Sequence, residues 1–312
     1  MSTPAESPKS PERPIATARP DAITLVAFAA TALFAGANAV AIRIGLAELA
    51  PFWGAGVRFL AAAVLLLMAA AAMRLALPAG RALAGATLYG LLNFGLSYAG
   101  IYWALTEVSA ATTMVVLAIV PLLTFLFAVA QKVEPFNLRA LIGALMAAGG
   151  IAIVFGGNIG SVSALALAAL LGSALCIAQV PIVVKTFPRV HPVVENGIGM
   201  AVGGALLLVL SLALSEPRVI PADPWVQGSF IYLVLIGSIG VFLLYLFVLG
   251  RWTASASSYI LLLAPLAAAV VGYLILGEAV SLTLVAGGAL VVLGVYVGAI
   301  AGKRQARPTG AH

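Results

Sequence analysis

Apolar residues in this chain come in blocks of about twenty, separated by short clusters of proline, glycine and charge. Stretches such as AAAVLLLMAAAAM do not alternate with polar positions, which excludes a membrane β-barrel. Each block approaches the roughly 20 residues that cross about 30 Å of hydrocarbon at 1.5 Å per residue. The pattern predicts ten helices, over about 22–42, 52–73, 83–103, 110–130, 138–156, 161–184, 193–214, 227–249, 255–276 and 281–301. Pro51, Pro78, Pro135, the Gly156 to Asn158 cluster, Pro188, Pro192, the loop from Pro217 to Pro224, and Gly277 punctuate them. The connections are short, so consecutive helices are antiparallel, with no space between them for a soluble domain.

The stretch from Glu107 to Gly156 occurs twice. At an offset of 144, Pro121 falls on Pro265, Glu134 on Glu278, Gly143 on Gly287 and Gly150 on Gly294. With small slips the match extends backwards: Tyr89 and Tyr102 meet Tyr232 and Tyr245, while Pro51 and Gly56 meet Pro192 and Gly197. Two five-helix repeats are predicted, 22–156 and 161–301, flanked by a polar tail at 1–21 that reads as disordered and a second tail at 302–312. An odd number of helices per repeat inserts the second half upside down, an arrangement many secondary transporters use around a mid-membrane substrate site.

Composition agrees with the hydropathy pattern and narrows it. The chain is 63% apolar and 8% charged, with a mean hydropathy of +1.16, so the predicted class is an all-α polytopic membrane protein. Thirteen of the 16 Lys and Arg residues fall at one set of helix ends and in the tails, against Arg43 and Arg218 at the other. By the positive-inside rule both termini are then cytoplasmic. The net charge of +6 is thus loop charge, and no nucleic-acid partner is expected. Cys176 is the lone cysteine and the histidines are His191 and His312, so no disulfide, metal site or catalytic constellation can be assembled. No phosphate-binding glycine loop followed by lysine is present. An enzyme is therefore not expected, nor a cofactor.

Each repeat has a proline in its fourth helix, a glutamate after it and glycines in its fifth, and Arg58-Phe59 follows Pro51 in the second helix. In these features the chain resembles the EamA-type drug/metabolite transporter superfamily over residues 22 to 301. The ten-helix aromatic amino-acid exporters (YddG-like) are the nearest branch. The resemblance implies a secondary transporter that exports or exchanges small organic metabolites across the bacterial inner membrane by alternating access. Amino acids with aromatic or large apolar side chains lead the cargo, and the partners are a small-molecule substrate and the lipid bilayer. A monomer is expected, with a dimer left open. Drug, nucleotide-sugar or cation cargo remains open on the same scaffold, although a cation would call for a buried acid. A non-transporting scaffold would need a larger soluble segment.

Several side chains are candidates for the site. Arg58, about 10 Å along its helix from Pro51, is either a counter-charge for a substrate carboxylate or a structural or snorkelling arginine. It stands in one half only, since Gly199 lies near the matching place in the other. Asn38 and Gln179, mid-span in helices one and six, are either symmetric substrate contacts or interhelical hydrogen bonds. Tyr98, Tyr102, Tyr245 and Ser257 are candidates for an aromatic, hydroxyl-bearing wall, with an interfacial belt the alternative for Tyr102. Glu195 is the one acid placed to carry a proton during transport. A carrier driven by the substrate's own gradient is favoured over one coupled through it. Pro121, Pro181 and Pro265 are hinges or static kinks. The glycine sets are expected to pack helices within the chain, and Glu134 and Glu278 to fix loops.

Overall fold

The computed structural model describes residues 20–105, 107–108, 110–155, 163–276 and 282–300. The predicted tails, Glu278 and the Gly156 to Asn158 cluster fall outside these, apart from Pro20 and Asp21. Among the described residues there are ten helical spans and no strand. The first two are α1 (Ala22–Gly45) and α2 (Pro51–Ala72). Next, α3 covers 80–105 with a π-helical stretch at Leu91–Leu96. In α4 (110–130) the helix is interrupted between Ala110–Leu117 and Val120–Ala130. Then come α5 (Leu138–Phe155), α6 (Ala164–Thr186) and α7 (Pro192–Ala213). The helix α8 (Pro224–Arg251) carries a second π stretch at Leu235–Gly240. Finally α9 (254–276) is interrupted at Tyr259, and α10 covers 282–300. Six of these spans (α1, α2, α6, α7, α8 and α9) are long and apolar enough to cross a membrane, and shorter apolar stretches lie in α4, α5 and α10.

The two halves meet through equivalent helices, and glycines set how closely. A Cβ placed on Gly143 of α5 would stand 2.5 Å from the Gly294 carbonyl of α10 and 2.4 Å from Gly298 Cα. One on Gly150 would stand 2.6 Å from the Gly287 carbonyl. Gly143 and Gly150 are the sequence equivalents of Gly287 and Gly294, so the contacts 143–294 and 150–287 are images of each other. The α2–α7 crossing repeats this: a Cβ on Gly56 would meet Leu208 Cδ2 at 2.6 Å, and one on Gly197 would meet Leu67 Cδ2 at 3.0 Å. Gly56 corresponds to Gly197 and Leu67 to Leu208 at the same offset of 141. Such self-complementary pairing is the signature of a two-fold axis. In both crossings residue number rises along one helix as it falls along the other, so equivalent helices run antiparallel. The repeats are inverted.

Each crossing anchors a core. Phe59, Phe94, Met200, Leu207 and Leu249 pack between α2, α3, α7 and α8, while Phe28, Ile151, Trp252, Tyr259 and Val291 fill the space around α1, α5, α9 and α10. Gly199 and Gly203 of α7 lie against Tyr89, Gly90, Phe94 and Gly95 of α3, so those glycines also serve packing within the chain. The prolines divide. Pro121 opens the second piece of α4 just after its interruption, while Pro181 and Pro265 sit inside continuous helices. In α9 the break comes earlier, at Tyr259, rather than at the proline.

Helix ends leave their first N–H groups without intrahelical partners, and carboxylates from elsewhere in the chain meet several of them. Glu134, after α4, accepts from the backbone N–H of Ala254 and of Ser255 (3.2 Å) and from Ser255 Oγ (2.5 Å), capping α9 in the other half. Glu216, after α7, accepts from Phe52 N (3.2 Å) and Trp53 N (2.8 Å) at the start of α2. Glu48, after α1, accepts from Ala222 N at 2.7 Å just ahead of α8. At the end carrying most of the Lys and Arg, Lys185 Nζ donates to the carbonyls of Leu249 (3.0 Å) and Trp252 (2.7 Å), closing the C-terminus of α8.

Two stability measurements on detergent-purified protein check this picture. Gly143→Ala drives a Cβ into backbone and should cost about 1–3 kcal/mol, read as a fall of several degrees in thermal midpoint. Gly149→Ala, with nothing within 4 Å of its added Cβ, should leave the midpoint unchanged or slightly raised. Glu134→Ala should lower the midpoint as the loss of a helix cap does, by about 0.5–2 kcal/mol. Glu134→Gln, which keeps one acceptor, should fall between.

Candidate functional site

Sequence reasoning singled out Arg58 because a charge inside an apolar run is expensive. The structure places it on α2 at 1% exposure, beneath the end of the bundle formed by the α1–α2 loop. Its Nε donates to Ser238 Oγ at 2.9 Å. Its guanidinium carbon lies 4.5 Å from the Phe59 ring centre and 5.7 Å from that of Tyr98, within the range of cation–π attraction. Neither Nη nitrogen has a hydrogen-bond partner. A buried guanidinium therefore presents an unused pair of donors in the fork geometry that suits a carboxylate.

An aromatic lattice holds this group in place. Tyr98 stands edge-on to Phe59 at 4.9 Å and lies 6.1 Å from Tyr102. Phe94 lies between Phe59 (5.0 Å, tilted) and Phe242 of α8 (4.6 Å, edge-on). The spacing of Phe94, Tyr98 and Tyr102 puts all three on one face of α3. Arg58 and Tyr102 also line a small cleft with Ile42, Leu49, Pro51 and Phe230, reached from the α1–α2 loop. Its volume is about 20 Å³, room for about one water, so the cleft is narrow in this conformation.

Asn38, 7% exposed on α1, reaches the same place from another side: its Nδ2 donates to the Gly237 carbonyl at 2.9 Å, and its Oδ1 has no partner. Gly237 and Ser238 sit in the π stretch of α8. Sequence reasoning missed both, because glycine and serine are ordinary residues in a membrane span. The one signal in the chain was their register with Phe94 and Gly95 in the first half.

The remaining candidates lie elsewhere. Gln179 on α6 is engaged by Gln131 at the end of α4 in two reciprocal hydrogen bonds of 2.8 and 3.1 Å. Ser257, fully buried, donates to the Thr253 carbonyl within its own helix at 2.9 Å. Tyr245, half-buried on α8, packs against both cores. Glu195 is 9% exposed in the first turn of α7 and makes no ion pair among the described residues. Beside it Asn196 Oδ1 accepts from Tyr89 OH at 2.8 Å, and the Nδ2 atoms of Asn196 and of Asn93 have no partner. This second polar cluster lies toward the end bearing Lys185 and Arg189.

A bundle of ten apolar helices, built from two inverted five-helix repeats around a buried arginine, defines a polytopic membrane protein with the architecture of a secondary transporter. Residues 22–156 and 164–299 each match the EamA-like transporter family. The chain belongs to that family, part of the drug/metabolite transporter superfamily, whose members are transporters. No curated protein sequence matches the chain. Among the proteins of known crystal structure that share the fold, one has a TM-score of 0.78 at 20% identity over 92% of this chain and the whole of its own.

Proposed function

We propose that this protein moves small carboxylate-bearing metabolites across the membrane by alternating access, with aromatic and large apolar amino acids as the leading cargo. One observation carries the reading: a buried arginine whose two Nη atoms lack partners, flanked by Phe59 and Tyr98 and bordering a cleft with Tyr102. The arginine supplies the charge contact and the rings supply a surface for an apolar or aromatic side chain. Asn38 and Tyr98 are the next contacts, and Gln179, Tyr245 and Ser257 come into play once the halves separate. Pro121, Pro181 and Pro265 are the places where α4, α6 and α9 flex. The excess of Lys and Arg at one end supports placing that end and both termini in the cytoplasm of a bacterial cell, with outward movement or exchange across the inner membrane. The glycine faces described above are occupied within the chain, which supports a monomer.

Counterflow in proteoliposomes against a panel of labelled amino acids tests this. Phenylalanine, tryptophan or leucine should exchange, and Arg58→Ala should abolish exchange. Arg58→Lys should retain only a small part of it, because a point charge cannot replace the two-pronged donor. Movement of a drug or sugar but of no amino acid overturns the cargo.

A second reading, proton coupling through Glu195, is favoured by that side chain's burial without a cation partner. The titratable neighbour on α3 is Tyr89. No titratable residue stands on α2 between Arg58 and Arg74, and Tyr245 and Arg251 are those of the α8 half packed against α7. Under this reading an imposed pH gradient accumulates substrate, and Glu195→Gln loses the accumulation while keeping counterflow. Under a purely substrate-driven carrier the gradient has no effect on either protein.

A further inference from the structure

Two side chains from different helices end on consecutive residues of the π stretch in α8. Arg58 Nε donates to Ser238 Oγ and Asn38 Nδ2 donates to the Gly237 carbonyl, both at 2.9 Å. Each has committed one end and kept the other: Arg58 Nη1 and Nη2 are donors without partners, and Asn38 Oδ1 is an acceptor without one. The residues are 1% and 7% exposed, so these groups are held away from bulk water. Adjacent Cα atoms stand about 3.8 Å apart, which anchors both side chains in one neighbourhood. Which end of the Asn38 amide is free is settled by chemistry, since a carbonyl accepts hydrogen bonds and only the NH₂ can donate to the Gly237 carbonyl.

A positively charged pair of donors and a neutral acceptor, anchored on consecutive residues of α8, complement a head group that carries a carboxylate and an ammonium together. We propose that Asn38 Oδ1 is the ammonium subsite, so that the cargo is bound as a zwitterion, its carboxylate on Arg58 and its α-ammonium on Asn38. This rests on the carboxylate reading of Arg58 given above. The neutrality of Asn38 is part of the design: a carboxylate at this position would pair with Arg58 and occupy the donors that the substrate needs. Gly237 is the residue that lets Asn38 come close, because a Cβ there would stand 2.2 Å from Oδ1. Ser238 acts through Arg58, as a positioning residue that turns the fork away from α8.

The test compares three probes that differ only at the head group. Unlabelled phenylalanine, 3-phenylpropionate (no ammonium) and phenethylamine (no carboxylate) compete against labelled phenylalanine in proteoliposome counterflow. The wild type should favour phenylalanine over 3-phenylpropionate by about tenfold or more, the order expected for one hydrogen bond to a charged group. Asn38→Leu should bring that ratio close to one by weakening phenylalanine alone. Gly237→Ala, which keeps the amide but displaces it, should move the ratio the same way and serves as the second variant if Asn38→Leu does not fold. Asn38→Asp should weaken phenylalanine and 3-phenylpropionate alike by capturing Arg58. A wild type that moves phenylalanine without discriminating, or an Asn38→Leu that weakens phenylalanine and 3-phenylpropionate equally, overturns the ammonium subsite and leaves the Arg58 reading standing. A wild type that moves no α-amino acid overturns both.

Discussion

Helices surrounded by lipid gain little from burying apolar surface against one another, because the acyl chains are as apolar as leucine. What holds them is closeness of approach, and two antiparallel crossings between equivalent helices achieve it where glycine removes the side chain altogether. Gly143 against Gly294, with its image Gly150 against Gly287, brings the backbones of α5 and α10 within reach of each other. Gly56 and Gly197 let leucines from the opposite repeat fill the space on α2 and α7. The remaining helices are arranged around those crossings in equivalent ways, α1 against α8 and α9, α6 against α3 and α4. The site then falls where the symmetry breaks. Arg58 has a glycine for its counterpart, and that glycine receives the ring of Tyr89 instead of a guanidinium.

Polar groups follow a related economy. Most acids sit at helix ends, where Glu48, Glu134 and Glu216 satisfy backbone donors across the seam between halves. These bonds join the two repeats at both ends of the bundle. The carboxylates that look like surface residues thus fasten one repeat to the other. Inside the bundle, by contrast, the buried unpartnered side-chain atoms among the described residues lie mainly around Arg58 and Asn38 and around Asn93 and Asn196, with Ser211 Oγ apart from both.

Much of the scaffold was legible in the chain. Long apolar blocks, broken by proline and glycine, marked the ten spans, and the repeated proline, glutamate and glycines marked the duplication. Arg58 was legible because a charge in such a block is costly. Its partner was not, since a serine 180 residues away in an apolar span gives no signal of contact. Glu134 was readable as an end residue, yet its hold on Ala254 and Ser255 depends on how the repeats meet. Gln179 looked like a pair to Asn38 by position, but the nearby Gln131 takes up its amide. The π stretches left no trace either, because neither contains a proline and both read as uninterrupted helix.

Those stretches, Leu91–Leu96 and Leu235–Gly240, stand within one residue of equivalent places in the two repeats. A π turn holds one residue more than the α-helical turn it replaces. Everything beyond it is therefore rotated by about 100° relative to an unbroken α-helix. Loss of a single residue from the first stretch would restore regular helix and rotate Tyr98 and Tyr102, which lie beyond it, relative to Tyr89, which lies before it. The orientation of the aromatic wall is thus a matter of counting: one surplus residue in α3 aims it, and a one-codon deletion would re-aim it without changing either tyrosine.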